Sequence, residues 1–471
     1  MEAKKYPLSP SQQLLSLSRQ ASTHKALTNV PTYVIVDDEL DQDLLEKALR
    51  IAISRWDVFG LRFYSLDSKS EADFGTMGTV PGKGFFQTFG HAREPVFIKR
   101  KDFRGSTQQQ MDAYLSSVGS KPLKFLDAPQ AGFIIFNPPQ GGTGIFSVFS
   151  HFIMDSWGIS VFNKDVIDIY KALETGQPLP KEMAAYEDTL ETEFAYASSE
   201  RAEADKEFWD EELGAHGEPM YTDPRGAKVL ELARKKAKNP NHRTAPTFFL
   251  RTKAAHHVQT VDAEVVKGWQ ELLGEVGVPS MQVLLQVAMR IYLGKVCNTN
   301  DVSMYLALAR RGTLKEKFSG GSRVQVIFFR TILEDDLTFK EALQQVLLKQ
   351  DVLVRHGQTN SLEIFRILTE AHAKPRTQGY ISTGFTFQPL PMDVGYGMKT
   401  KTQWYCTGAA GQILYLTVMD HDGTGGLRFY YEYLTNLFTE SDIAAFHAGI
   451  LGVLQAAIKN PDATIAELKK A

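Results

Sequence analysis

The sequence predicts a mixed α/β fold with two core-bearing halves. The chain has 471 residues, and a single hydrophobic core stops growing near roughly 250–300 residues. Strand-like runs are followed sometimes by a short turn and a second strand, sometimes by an amphipathic helix. That mixture calls for sheets with both hairpins and crossovers. Hydrophobic residues make up 43% and charged residues 23%, the balance of a packed globular chain rather than of a disordered, fibrous or membrane-embedded one.

The elements follow in order. “LSPSQQLLSLSRQ” places Ser9 and Pro10 at helix-start positions and then repeats leucine near helical spacing. “VPTYVIVDDE” reads as a strand, and Leu44, Leu45, Ala48, Leu49 and Ala52 fall on one face of the next helix. “VFGLRFY” reads as a strand, and residues 67–84, small, polar and glycine-bearing, as a loop. “AGFIIF” and “GIFSVFSHFI” are strands joined by the turn “NPPQGGT”. A helix then carries Ile159, Phe162, Val166, Ile169 and Tyr170 on one face and ends at Gly176, Pro178 and Pro180. These prolines set the expected division into residues 1–178 and 179–471.

The second half opens on a charged helical stretch from Tyr186, then a loop-rich basic region over residues 214–255. A helix pair follows (“AEVVKGWQELLGEVG”, “SMQVLLQVAMRIYLGKV”), then strands “DVSMYLALA” and “VQVIFFRTIL”. After the helix “TFKEALQQVLLKQDVLVRHG” come strands “YISTGFTFQPL”, “ILYLTVMDHDG” and “GLRFYYEYL”. A last helix has Thr439 as N-cap and Glu440 and Asp442 in its first turn.

A net charge of −3 supplies no positive field to hold nucleic acid. Cys297 and Cys406 stand alone, without the spacing of a zinc site or a disulfide framework. The first residues lack an apolar leader, and no run of 18 apolar residues occurs. The expectation is a cytoplasmic monomer that binds no metal, nucleic acid or membrane.

The chemistry-bearing stretch is “SVFSHFIMDSWGISVF”. Strand alternation puts Ile145, Ser147, Phe149 and His151 on one face, with His151 near the strand's end. Asp155 follows at the start of a helix, where an acidic cap is favourable in its own right. From these residues alone His151 reads either as a packed core histidine or as a general base at a strand-to-helix corner.

“SHFIMDSWGIS” resembles the His-His-x-x-x-Asp-Gly signature of nonribosomal peptide synthetase condensation domains, of the chloramphenicol-acetyltransferase-like superfamily. Other family blocks are echoed in order: the opening “LSPSQQLLSLSRQ”; “SRWDVFGLRFY” with Arg55, Arg62 and Phe63; “YEDTLETE” with a later “EFWDEEL”; “ALARRG…GGSRVQVIFFRTIL”; and the closing “LRFYYEYLTNLFTE”. The sequence departs from the signature at Ser150, in place of the first histidine, and at Ser156, in place of the glycine.

The resemblance implies two acetyltransferase-like subdomains in a V-shaped pseudo-dimer. His151 would lie on a tunnel between them, reached by phosphopantetheine arms of acyl or peptidyl carrier proteins. A free-standing condensing enzyme would then form an amide, or an ester with a hydroxyl nucleophile, from an amine or alcohol acceptor, with no bound cofactor. Asp155 would hold the motif's shape through an arginine: Arg310 or Arg311 for preference, otherwise Arg62. Ser150 would be architectural. Ser156, Trp157 and Gly158 would position the acyl group or the oxyanion, and Ser382, Thr383 and Gln388 would line the tunnel. Two alternatives stay open. “MDVGYG”, residues 392–397, resembles the Asp-Phe-Gly-Trp-Gly motif of BAHD acyltransferases, which use coenzyme A thioesters, although a glycine-rich turn also accounts for it. Ser150 and Ser156 would also suit a non-catalytic carrier-docking homologue.

Overall fold

The computed structural model describes residues 4–66, 84–247, 251–375, 377–388, 392–420 and 422–470. Two mixed sheets organise it. The first has five strands, in the order Thr400–Trp404, Asn29–Val36, Thr143–Ser150, Ala131–Asn137 and Ile98–Asp102. The second has six: Gln325–Ile332, Asp301–Leu308, Thr383–Gln388, Leu414–Met419, Leu427–Leu434 and Ala254–Val261. Each sheet combines antiparallel pairs with parallel ones, as hairpins beside crossovers require.

The first sheet is apolar on both faces. Along Thr143–Ser150, Ile145 and Phe149 join the core under the helix Ser156–Thr175, while Phe146 and Val148 join a smaller core on the other face. All five apolar positions expected on that helix are buried. Gly176 ends it in the left-handed conformation, at φ 67°, which favours a residue without a Cβ. The final helix, Glu440–Lys459, is capped by Thr439 in a reciprocal pair with Asp442, and it buries Ile443, Phe446 and Ile450 in the second core. Its length and composition would allow it to cross a membrane, but that face packs inside the fold.

Several expectations are corrected. Asp57–Gly60 forms a 3-10 turn, because Val58 and Phe59 both insert into the core; the strand begins only at Arg62. The charged stretch from Tyr186 breaks into Tyr186–Ala197 and Glu200–Gly214, with Ser199 capping the second helix. The basic region contains a helix, Lys228–Ala237. The loop assigned to residues 67–84 lies, apart from Gly84, outside the described residues. Segments beyond Pro178 also build the first half. Tyr186 and Leu190 enter its core, and Thr400–Trp404 pairs antiparallel with Asn29–Val36. Residues 392–397 lead into that strand as a turn. Met392 and Val394 are buried, and Gly395, Tyr396 and Gly397 all have positive φ.

Candidate active site

The strand Thr143–Ser150 ends one residue before His151, and a turn through Met154 leads to the helix starting at Ser156. The turn is fixed by its backbone: His151 N–H donates to the Thr28 carbonyl at 2.7 Å and Ile153 N–H to the Ser150 carbonyl at 3.0 Å. Ser150 is buried at the strand's end, and its N–H donates to the Gln130 carbonyl.

The His151 ring is held from one side. Nδ1 lies 3.1 Å from the Met154 carbonyl and 3.3 Å from Ser322 Oγ. A carbonyl can only accept, so Nδ1 carries the proton and Nε2 keeps its lone pair. Among the described residues Nε2 has no hydrogen-bond partner, and His151 lines a large cavity. Burial pushes the imidazole's pKa below its ordinary value, against the opposing pull of Asp155, so the neutral ring predominates at pH 6.5 and above. A neutral histidine with a free Nε2 facing a cavity can accept a proton from a bound nucleophile.

Asp155 is fully enclosed. Oδ1 accepts from Gly158 N–H at 2.9 Å, which makes the residue the helix N-cap. Oδ2 accepts from Arg323 N–H at 3.0 Å, and Arg311 Nη2 donates to both oxygens at 2.9 and 3.0 Å. Asp155 therefore joins the His151 turn to the second half of the chain. Arg311 is anchored in turn by the Ser319 and Gly321 carbonyls, each at 3.0 Å. The preceding arginine, Arg310, takes a left-handed backbone conformation and pairs instead with Glu193 at 2.8 Å. Arg62 donates to the Phe59, Leu61 and Ala92 carbonyls and takes no part in the motif.

Residues 319–323 press against the same corner. Gly321 N–H donates to the Ile153 carbonyl at 2.9 Å, and a Cβ on Gly321 would meet the Tyr186 ring at 2.1 Å. Sequence reasoning passed over Ser322 and Arg323. The paired glycines of “GGSR” were the available signal for a close approach of backbone.

Ser156 and Trp157 line the cavity, and the Trp157 indole donates to the Lys317 carbonyl at 3.0 Å. In the first helical turn the N–H groups of Gly158 and Ile159 go to Asp155. Those of Ser156 and Trp157 remain as donors at the positive end of the helix. Gly158 is packed tightly, since a Cβ there would lie 2.5 Å from Met154 Sδ.

The cavity measures about 1730 Å³ and is lined from both halves. Of the three residues assigned to the tunnel, Ser382 and Gln388 line this cavity and Thr383 does not. Thr383 is buried against Ser382 Oγ at 3.1 Å, because alternation along the strand turns it toward the side of Phe385 and the core.

The Condensation domain family model matches residues 2–471. The chain belongs to the condensation-domain family. It is 20% identical to one of the plipastatin synthase proteins of Bacillus subtilis (strain 168), over 98% of this chain and 17% of that protein. It is 22% identical to surfactin synthase subunit 1 of the same organism, over 99% of this chain and 12% of that protein. The condensation domain thus spans less than a fifth of the length of either synthase. Its fold matches the first condensation domain of the calcium-dependent antibiotic synthetase, in complex with a substrate analogue, at TM-score 0.79 and 16% identity, over 99% of both chains. It also matches the starter condensation domain of rhizomide synthetase in complex with C8-CoA, at TM-score 0.79 and 17% identity, over 98% of this chain and 97% of that one. The fold is chloramphenicol-acetyltransferase-like. The family forms amide and ester bonds in nonribosomal peptide synthesis.

Proposed function

We propose that this condensation domain joins an amine or hydroxyl acceptor to an acyl thioester presented on the phosphopantetheine arm of a carrier protein, with His151 as the catalytic residue. The observation that carries this reading is the His151 geometry: Nδ1 tied back to the Met154 carbonyl, Nε2 open to a cavity built by both halves. At about 1730 Å³ the cavity exceeds the roughly 300–1,000 Å³ of a site for one small ligand, which suits a donor arm and an acceptor together.

The acceptor N–H or O–H is held at Nε2. Its nitrogen or oxygen attacks the thioester carbonyl, the new C–N or C–O bond forms, and the C–S bond breaks. The acceptor proton passes to Nε2 and then to the departing sulfur. An amine with a pKa of roughly 7.7–8.0 is partly neutral already, so positioning supplies much of its rate and His151 takes the proton late. A hydroxyl needs the base in the transition state, worth about 10²–10⁴-fold. The Ser156 and Trp157 N–H groups, at the positive end of the helix, would donate to the oxyanion. Asp155 and Arg311 act as positioning residues.

The test is transfer followed by intact mass, with an acylated carrier protein and the matching acyl coenzyme A as separate donors. Carrier-dependent transfer that is lost in His151→Ala supports the reading. Equal transfer from coenzyme A, the donor type bound in the rhizomide synthetase domain, would move the donor assignment to a soluble thioester. Transfer unchanged in His151→Ala would overturn the catalytic assignment.

A further inference from the structure

The cavity face of the six-stranded sheet carries a polar row. Strand register sets Tyr305 opposite Gly384, Gly384 beside Tyr415, Tyr415 opposite Glu432 and Glu432 opposite His256. Directly opposed side chains share a face about 4.5–5.5 Å apart at Cβ, so Glu432 stands between Tyr415 and His256. All three line the cavity. Gly384 leaves room in the row: a Cβ there would meet the Tyr415 ring at 2.5 Å and Gln412 Oε1 at 2.4 Å. The alternate residues of these strands, Leu414, Leu416, Phe429 and Tyr431, form the core on the opposite face.

Glu432 differs from three of the other carboxylates along the cavity, while Asp165, bonded to the Trp56 indole, likewise has no ion pair among the described residues. Glu193 is paired with Arg310, Glu316 with Arg323 and Asp168 with Lys164. Glu432 has no cationic partner among the described residues. Burial raises its carboxyl to about 7, against a small opposing pull from the Cys406 thiol, which carries no positive charge. Burial also pushes the neighbouring His256 down to about 4, so His256 is neutral and supplies no counter-charge. Arg428, two side chains along the same face, donates through Nη1 to Gln403 at 2.6 Å and lies beside the Tyr430 hydroxyl, its own Nε unfilled. Polar atoms elsewhere along the cavity are also unfilled among the described residues. The Tyr430 hydroxyl, on a residue 2% exposed, Gln412 Oε1 and Trp404 Nε1 are buried without a hydrogen-bond partner, and all three residues line the cavity. A half-buried carboxyl with no cation of its own among the described residues, set in a polar row along the cavity, is arranged for a polar, positively charged ligand.

We propose that Glu432, flanked by Tyr415 and His256, seats an ammonium group of the acceptor. This rests on the condensation reading in one respect: the amine that attacks must be neutral, so the ammonium held by Glu432 is a second one. The preferred acceptor class is then a diamine or a basic amino acid, with one amine at His151 and the other at Glu432.

The experiment titrates 1,5-diaminopentane and, separately, 1-pentanol into the wild-type chain, Glu432→Gln, Glu432→Asp and His151→Ala at pH 8, by ligand-observed NMR without any donor. A charged hydrogen bond in such a site is worth a factor of about ten to a hundred. The expected result is diamine binding weakened by that factor in Glu432→Gln, less so in Glu432→Asp, and kept in His151→Ala, with pentanol unaffected throughout. No binding to the wild type, or equal binding to Glu432→Gln with unchanged melting temperature, overturns the proposal. Acyl transfer to pentylamine and to the diamine is run in parallel. Glu432-dependent binding with no transfer to any acceptor leaves this site standing and removes the condensation reading. Equal transfer to both amines, with the Gln variant unaffected, does the reverse.

Discussion

Asp155 and Glu432 are carboxylates set into the two halves of one site, and their surroundings give them opposite roles. Asp155 is 0% exposed, and both its oxygens are satisfied by the protein through two backbone N–H groups and the Arg311 guanidinium. It has nothing left to offer a substrate. Glu432 faces the cavity between a tyrosine and a neutral histidine, with no ion pair among the described residues. The difference teaches that the role of a buried carboxylate is read from what remains unsatisfied around it, and less from its own identity or its distance to the catalytic histidine.

The largest expected effect tests the saturated end. Arg311→Ala strands the Asp155 charge, and breaking a buried pair costs about 3–5 kcal/mol, read from urea unfolding. A variant as stable as the wild type would break the comparison. Next is Gly158→Ala. Its Cβ would crowd Met154 Sδ, and overpacking of this kind costs about 1–3 kcal/mol, with loss of transfer because Met154 supplies the carbonyl that orients His151.

pH separates the two regions by sign. The His151 imidazole is held below its ordinary value of 6.5, so the acid limb of kcat/KM falls below pH 6.5. Protonation of the unfolded histidine removes stability as pH drops from about 6.5. Glu432 runs the other way. Its folded value of about 7 lies above the ordinary 4.5, so its contribution is fully present below pH 4.5 and is lost as pH rises through 7. Glu432→Gln should therefore lose less stability than the wild type between pH 5 and 8, measured by melting temperature at each pH; identical pH profiles would contradict an unpaired carboxyl. The smallest effects belong to the rim of the His151 corner. Ser322→Ala removes one contact at Nδ1 and should lower transfer by the equivalent of about 0.5–1.5 kcal/mol. Ser150→His should bring no gain in turnover, since Ser150 is buried at the strand's end and its backbone N–H is already bonded.

What was legible in the sequence was local. Asp155 as an N-cap follows from its place before an amphipathic helix, and the Gly176 stop from its own conformational freedom. The Arg311 pairing spans 156 residues and rests on which of two adjacent arginines the backbone turns inward. The left-handed conformation of Arg310, which sends that side chain to Glu193, leaves no mark in the sequence. The strand Thr400–Trp404 was invisible because it is a polar edge strand, and the order of the sheet rather than its own pattern makes it a strand. Thr383 was misplaced by one position, which in a period-two element exchanges cavity for core. Glu432 was passed over inside “GLRFYYEYL”, since its meaning comes from the opposed His256 and Tyr415 on two other strands.

The central claim, that the free Nε2 of His151 is the base, is tested most directly by single-turnover transfer from an acylated carrier protein to matched amine and hydroxyl acceptors, comparing the wild type with His151→Ala. The account predicts a loss of about 10²–10⁴-fold with the hydroxyl and a smaller loss with the amine. Rates unchanged for both acceptors would contradict it.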